Sequence, residues 1–219
     1  MKKLFRNHWG RWAIVALLSL TLLAAIGIIQ TARALEVDKD GVIEAGEVIE
    51  DDVYIEADRV VVDGTVNGAL IVSSNKAEIN GTVNGDLVIF SSQAQVNGRV
   101  TGNLVFAGRQ LSMNGSVGNS VFAVGSTAIL ESAAVAERNL VFGGFSLEMV
   151  EGSTVGRDLH VGSYQAILAG QVGRDVIVST GALEIAGSVG GDVTAEVSEP
   201  EQDSQSVFQF MRWPGMPDE

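Results

Sequence analysis

The acidic stretch at residues 36–47 has carboxylates at the spacing of a calcium-binding loop. Five of them occupy positions 1, 3, 5, 9 and 12 of an EF-hand-like pattern: Glu36, Asp38, Asp40, Glu44 and Glu47. Gly41 stands at the sixth position, where such loops turn sharply. The first ligand is Glu instead of Asp, however, and the strand-like residues 48–50 follow the loop. The five carboxylates are therefore a weak calcium candidate, and we interpret residues 35–49 mainly as an acidic N-terminal cap.

Three further carboxylates, Asp158, Asp175 and Asp192, recur at every seventeenth position. Carboxylates stacked at one position of a repeat could recruit cations between its units. Asp at a turn more commonly accepts a hydrogen bond from a backbone N–H, which caps the turn. We favour the turn-cap interpretation, in which Arg157 and Arg174 offset the repulsion between the stacked acids.

His160 is the one histidine after residue 34. Ser/His/Asp catalysis would require this imidazole, and no G-x-S-x-G nucleophile motif is present. The chain has no Cys for a thiolate metal site or a disulfide. No spacing singles out a pair of carboxylates for glycoside hydrolysis. The sequence therefore favours a protein that is not an enzyme and uses no cofactor. A polysaccharide-acting enzyme, which would need a groove with clustered acids, is the third alternative.

A sequence repeat must position these side chains. Valines close eight successive units: Val66, Val83, Val100, Val117, Val135, Val155, Val172 and Val189. Each closing valine is the seventeenth residue after the one before it, except that Val135 is the eighteenth and Val155 the twentieth. The two longer intervals predict bulges or longer turns within residues 131–152. Apolar residues alternate with polar or small ones inside each unit, which is the period of a β-strand.

Glycine follows Asp or Asn near the end of several units, as in Asn80-Gly81 and Asn97-Gly98. Such dipeptides favour positive φ, which predicts sharp corners at these positions. A unit of this length cannot bury its apolar face alone, so the units must stack as coils. We predict an all-β fold, a single-stranded β-helix of about eight 17-residue coils over residues 50–197, roughly 40 Å long at ~4.8 Å per coil. Asn80, Asn97 and Asn114 would form a ladder along one corner.

Residues 1–34 have the order of an export signal. Basic residues within 1–11 precede an uncharged, mostly apolar run at 12–29, and Ala32-Arg33-Ala34 fits an A-x-A cleavage site. The apolar run approaches the ~20 residues that span a bilayer as a helix. Both a cleaved signal and an uncleaved anchor helix therefore stay open. In either case the basic residues stay on the cytoplasmic side, and we expect everything after residue 35 to lie outside the cytoplasm.

The charge of the chain argues against nucleic-acid partners. Its formal net charge is −13, and the acids lie after residue 34. Such a surface repels phosphate backbones but favours solubility and cation uptake. We therefore do not expect nucleic acid as a partner.

The repeat resembles the coils of the bactofilin family of polymer-forming cytoskeletal proteins. The resemblance rests on the stretch 81–87, Gly-Thr-Val-Asn-Gly-Asp-Leu, which has the pattern G-x-V-x-G-D-[LV], and on weaker copies that begin at Gly170 and Gly187. It covers residues 50–197 and implies a right-handed β-helix that polymerises end to end without nucleotide. Bactofilins are typically cytoplasmic, whereas this chain carries an export signal. The resemblance therefore implies an exported or membrane-anchored scaffold.

The C-terminal tail at 198–219 places large apolar side chains after a polar stretch: Phe208, Phe210, Met211 and Trp213. It could cap the last coil, contact a partner or membrane interface, or be a disordered end. A β-helix without a cap exposes an edge that can pair with another chain. We expect a non-enzymatic structural scaffold at the cell envelope that self-associates, with membrane contact through 12–29 if that segment is uncleaved. The alternative is a monomeric extracytoplasmic binding module for glycans or divalent cations.

Overall fold

Every strand in the structure, a computed structural model, runs parallel to the strands beside it. The residues that the structure describes are 35–36 and 41–198. They form a parallel β-solenoid of about nine turns, with no helix in these two ranges. The predicted all-β class and repeat architecture are confirmed. The predicted signal or anchor helix at 12–29 and the tail after Ser198 lie outside the described residues.

Strands of ten residues alternate with strands of two residues along most of the chain. In chain order they are β1 (Leu35–Glu36), β2 (Val42–Ile43), β3 (Val48–Ile49), β4 (Val53–Val62), β5 (Thr65–Val66), β6 (Leu70–Ile79), β7 (Thr82–Val83), β8 (Leu87–Val96), β9 (Arg99–Val100), β10 (Leu104–Met113), β11 (Ser116–Val117), β12 (Val121–Leu130), β13 (Val135–Ala136), β14 (Leu140–Met149), β15 (Thr154–Val155), β16 (Leu159–Leu168), β17 (Gln171–Val172), β18 (Val176–Ile185), β19 (Ser188–Val189) and β20 (Val193–Val197). We number the coils 1 to 9 by the strands β4, β6, β8, β10, β12, β14, β16, β18 and β20.

Two sheets run along the solenoid. One has 11 strands and contains β1, β2, the eight long strands and β20. The other has 9 strands and contains the short strands from β3 to β19. Leu87, Leu104 and Val121 are successive partners in the first sheet, so equivalent residues of adjacent coils lie directly above one another.

Each long strand bends in its middle, which divides its outer surface into two faces. Ladder pairing between coils 4 and 5 passes from Gly108–Gly125 directly to Gln110–Thr127. Before the bend the first and third residues point inward, and after it the eighth and tenth do. With the second residue of each short strand, these positions form five apolar columns in the interior, and burial of these columns holds the coils together.

The fifth repeat corrects one predicted register. Val135 is only partly buried, and Ala136 takes the interior position between Val117 and Val155. The two coils on either side therefore run from 117 to 136 and from 136 to 155, and each is longer than a regular coil by two positions. The longer turns that the sequence predicts lie at 131–134 and 150–153, where four residues join a long strand to a short one.

A partial coil precedes coil 1, and together with the incomplete coil 9 it raises the count from the predicted eight coils to about nine turns. Val42 and Ile43 pair with the end of β4, and Val48 and Ile49 pair with β5. Ile43 is fully buried, because its side chain continues one of the interior columns. The paired part of the acidic stretch thus takes the same path as the coils that follow it.

The Asn-Gly corners differ from the expectation of positive φ. Among the described residues, positive φ occurs at Gly41, Gly46 and Gly152 and not at Gly81 or Gly98. A Cβ added at Gly98 would instead overlap the carbonyl oxygen of Gly81 in the coil below. Glycine is needed at these corners because adjacent coils approach too closely for a side chain.

Candidate functional site

The calcium candidates are divided between described and undescribed parts of the chain. Glu36 lies in β1, and Asp38 and Asp40 lie outside the described residues. Glu44 and Glu47 begin and end the turn between β2 and β3, where the Glu44 N–H donates to Glu47 Oε2 at 3.0 Å. Within 41–198 no group of three or more Asp, Glu or His side chains is arranged to hold a metal ion. The Glu47 carboxylate therefore caps its own turn, and calcium binding by the five carboxylates stays a prediction.

The Asp column forms hydrogen bonds from coil to coil. Asp175 Oδ1 accepts from the Asp192 N–H at 3.0 Å, and Asp158 Oδ1 accepts from the Asp175 N–H at 3.4 Å. Asp86 Oδ1 accepts from the Asn103 N–H in the same way at 2.7 Å. Arg174 Nε lies 3.5 Å from Asp158 Oδ1. This geometry agrees with the turn-cap interpretation, in which the carboxylates of Asp86, Asp158 and Asp175 each accept a backbone N–H of the next coil.

Asparagine side chains form ladders at two corners of the solenoid. Asn97 Nδ2 donates to Asn80 Oδ1 at 2.8 Å, and Asn80 Nδ2 donates to Asp63 Oδ1 at 2.8 Å. A second ladder, which the sequence reasoning did not single out, joins Asn84 Nδ2 to Asn67 Oδ1 at 2.6 Å. The feature of the sequence that indicates this second ladder is the recurrence of Asn directly after the closing valine. Both ladders stabilise stacked corners.

His160 points outward, as strand alternation predicts. It lines a shallow, open depression beside Gly162, together with the apolar side chains of Val141 and Ile177. The depression exists because Gly162 has no side chain, and a Cβ added there would meet no atom within 4 Å. The imidazole thus borders a largely apolar surface.

Three outer faces of the solenoid differ in polarity. The second half of each long strand presents mostly polar residues, such as Lys76, Gln93 and Gln110, and the short strands present residues such as Thr82 and Arg99. The first half of the long strands presents apolar residues over coils 1 to 6 and coil 8, and coil 7 presents His160 and Gly162 there. We call this surface the apolar face, and its apolar members are Tyr54, Ile71, Val88, Phe90, Val105, Ala107, Phe122, Val124, Val141 and Ile177.

The sequence reasoning missed the apolar face because alternation identifies only the inward residues. The signal was available in continuous apolar runs such as 87–90, Leu-Val-Ile-Phe, and 104–107, Leu-Val-Phe-Ala. In each run the first and third residues are interior and the second and fourth are on the outer surface. Phe90 is 52% exposed and Val124 is 65% exposed.

The two ends of the described solenoid also differ. At the N-terminal end the interior residues Ile43 and Val53 are buried. At the C-terminal end two interior columns finish at exposed residues, with Ile185 at 40% and Val193 at 46%, and Val197 on the last strand is 55% exposed. The last coil therefore presents an apolar cross-section beside a strand edge, which we call the open end.

Two ionisable groups on the outer faces have shifted pKa values. The Lys76 ammonium, 2.7 Å from Glu78 Oε1, and the Arg59 guanidinium at 3.1 Å lower the pKa of the Glu78 carboxyl. The Tyr54 hydroxyl donates to Glu56 Oε2 at 3.1 Å, and this bond to a carboxylate raises the pKa of Tyr54. Both pairs lie on the outer surface and stabilise it locally.

Comparison with models of known protein families, with curated proteins and with solved structures gives no match to this chain. Across the part of the chain that the structure describes, no helix has the length and apolar character needed to cross a membrane.

Proposed function

We propose that this chain is a non-enzymatic scaffold whose copies associate through the open end. The observation that carries the proposal is the exposure of Ile185 and Val193, which continue interior columns of the solenoid. Equivalent residues in the preceding coils, such as Val176, are fully buried. A second copy placed on this end would continue the columns and remove their apolar surface from water.

Backbone groups support the same contact. β20 pairs with the first half of β18 only, through Val176–Val193 to Thr180–Val197. Leu183 is partly buried and Ile185 exposed at the end of β18, so this edge carries both apolar side chains and strand backbone. An open strand edge is a template for pairing with another chain. Because Ile43 at the opposite end is buried, we propose that the open ends of two copies meet each other.

The sequence supports the proposed location and partners. The basic and apolar segments of 1–34 support export or membrane anchoring, with the solenoid on the extracytoplasmic side. The bactofilin-like repeat supports a right-handed coil and a self-associating scaffold without nucleotide. Parallel crossover connections are right-handed in about 98% of cases, which favours the same hand. The net charge of −13 argues against binding to nucleic acid.

Electron microscopy of the full chain in mild detergent, with calcium and with a chelator, tests the proposal. Assemblies that are joined at the rod ends in both conditions would support it. Assemblies that form only with calcium would indicate that the carboxylates of 36–47 form the contact instead of the open end. Dispersed single rods in both conditions would overturn the proposal. They would favour the alternative of a monomeric binding module for glycans or divalent cations.

A further inference from the structure

The apolar face is large enough to be an interaction surface. It extends over coils 1 to 8, and its members include Phe90 and Val124, which are more than half exposed, and Phe122, which is 44% exposed. Together the exposed apolar side chains offer roughly 600 Å², the upper end of the range for the largest apolar patch on a monomer, and such large patches are often functional. Two such faces in contact would bury about 1,200 Å², the lower limit of a standard interface.

The chemistry of the face favours another solenoid over a lipid or a glycan. The charged groups at its two ends, Glu56 and Glu196, are acidic, so an anionic membrane surface would be repelled. Its middle, from Ile71 to Val141, has few hydrogen-bond donors for sugar hydroxyls. Side chains on the face recur at the spacing of the coils, about 4.8 Å. A second copy of this chain has the same spacing, so the two rows of side chains can face each other coil by coil along their whole length.

We propose that two copies pair side by side through the apolar face, with their solenoid axes antiparallel. The two-fold axis lies along the strand direction and passes between coil 4 and coil 5. This symmetry keeps each residue at its position along the strand and reverses the order of the coils. Coil 1 therefore faces coil 8 of the second copy, coil 3 faces coil 6, and coil 4 faces coil 5.

At the fourth strand position, a large side chain of one copy faces a small residue of the other in this register. Phe90, the fourth residue of its strand in coil 3, faces Gly143, the fourth residue in coil 6. A Cβ added at Gly143 would meet no atom within 4 Å, so space for the phenyl ring is available there. Val124 faces Ala107 in the same way. Each pairing occurs twice, because the interface is two-fold symmetric.

Side-chain charge and size favour this register over the registers that are shifted by one coil. In the proposed pairing Glu56 of coil 1 faces the uncharged Ser179 of coil 8. A shift by one coil in one direction would place Glu56 against Glu196 and Phe90 against Gly162, and a shift in the other direction would place the two large side chains of Phe90 and Val124 against each other. Two carboxylates facing each other across a dry interface repel, so the shifted register is disfavoured.

Crosslinking can test the register in the full chain, which has no Cys. Val88→Cys and Val141→Cys place one thiol each on coils 3 and 6, at the second strand position. When the two variants are produced together, a short bifunctional thiol reagent should join residue 88 of one copy to residue 141 of the other. Each variant alone should give no crosslinked dimer, because equal residues lie three coils apart. Crosslinking in the single variants, or none in the mixture, would overturn the register.

Substitution at the glycine gives an independent test. We expect Gly143→Leu to leave the Tm unchanged, because the added side chain meets open space, and to weaken side-by-side pairing at least 10-fold by filling the place of Phe90. Gly162→Leu is the matched control, since Gly162 faces the small Ser73 in this register. Phe90→Ala should also weaken pairing, and combining Phe90→Ala with Gly143→Phe should restore it.

Analytical ultracentrifugation of these variants, supported by the 88–141 crosslink, measures the effect. A stronger loss with Gly162→Leu than with Gly143→Leu would assign the shifted register and overturn the proposed one. Equal pairing in all variants would show that the apolar face is not the contact. The crosslink reports only on side-by-side contact, so its outcome is separate from association through the open end.

Discussion

Val193→Glu should abolish association through the open end while leaving the solenoid intact. Val193 is 46% exposed and stands above the buried Val176 in an interior column. Burial of its exposed apolar surface contributes about 1–2 kcal/mol to the contact at ~25 cal/mol per Å². A carboxylate in its place would also have to leave water, at a cost of several kcal/mol. A loss of ~3 kcal/mol or more corresponds to at least about a 100-fold weaker association.

Sedimentation of the full chain in detergent measures this association, and circular dichroism measures the fold. Thr194→Glu is the matched control, because residue 194 is the next position on β20 and alternates to the outside. We expect Val193→Glu to separate the end-joined copies and Thr194→Glu to leave them joined, with equal Tm values for both. Equal association of the two variants would refute the reasoning that the interior columns form the contact. A lowered Tm for Val193→Glu alone would show that residue 193 is buried within the single copy.

Three further outcomes concern the coils themselves. Leu104→Ala removes a fully buried side chain from an interior column, and urea denaturation should show a loss of about 2–5 kcal/mol in unfolding free energy; an unchanged midpoint would contradict the packing. Gly98→Ala places a Cβ against the Gly81 carbonyl oxygen, and the thermal melt should reveal a loss of ~1–3 kcal/mol. The Glu78 carboxyl, whose pKa Lys76 lowers from its ordinary value of about 4.5, contributes stability above that pH and loses it as the pH falls. Lys76→Met should therefore reduce the fall in Tm on acidification, and an identical pH profile would contradict the ion pair.

The sequence predicts the repeat and its interior well, because one physical constraint determines both. Residues such as Leu87 and Leu104 must point inward in every coil, and strand alternation combined with the regular repeat is sufficient to identify them. The same rule fails at Val135. The turn before it has two additional residues, so the interior position falls on Ala136, whereas the sequence pattern favours the more apolar valine beside it.

The outer faces are harder to predict from the sequence. A run such as 87–90 is apolar at every position, and its alternation does not show that Phe90 is exposed. Exposure depends on which neighbouring coils and segments cover a residue, and a local pattern does not contain that information. For the same reason the sequence did not decide between an open and a capped end of the solenoid. The glycines illustrate the limit most clearly, since Gly98 is needed for the close approach of the neighbouring coil and not for its own φ.

The two proposed contacts have a joint consequence for assembly. Contact between two open ends is symmetric and uses the one exposed end that each described solenoid has, because Ile43 at the other end is buried. End contact alone would therefore stop at two copies, and so would pairing through the apolar face. A copy that uses both surfaces can join two different neighbours, and alternation of the two contacts propagates an unlimited filament.

We accordingly expect two different limits when the contacts are blocked singly. Val193→Glu should leave pairs of rods lying side by side, and Gly143→Leu should leave pairs joined end to end. The double variant should give single rods. Electron microscopy distinguishes the two kinds of pair by length, since an end-joined pair is twice as long as a side-by-side pair. Filaments that persist in either single variant would show that a third surface joins the copies, and the division of assembly between these two surfaces would then be wrong.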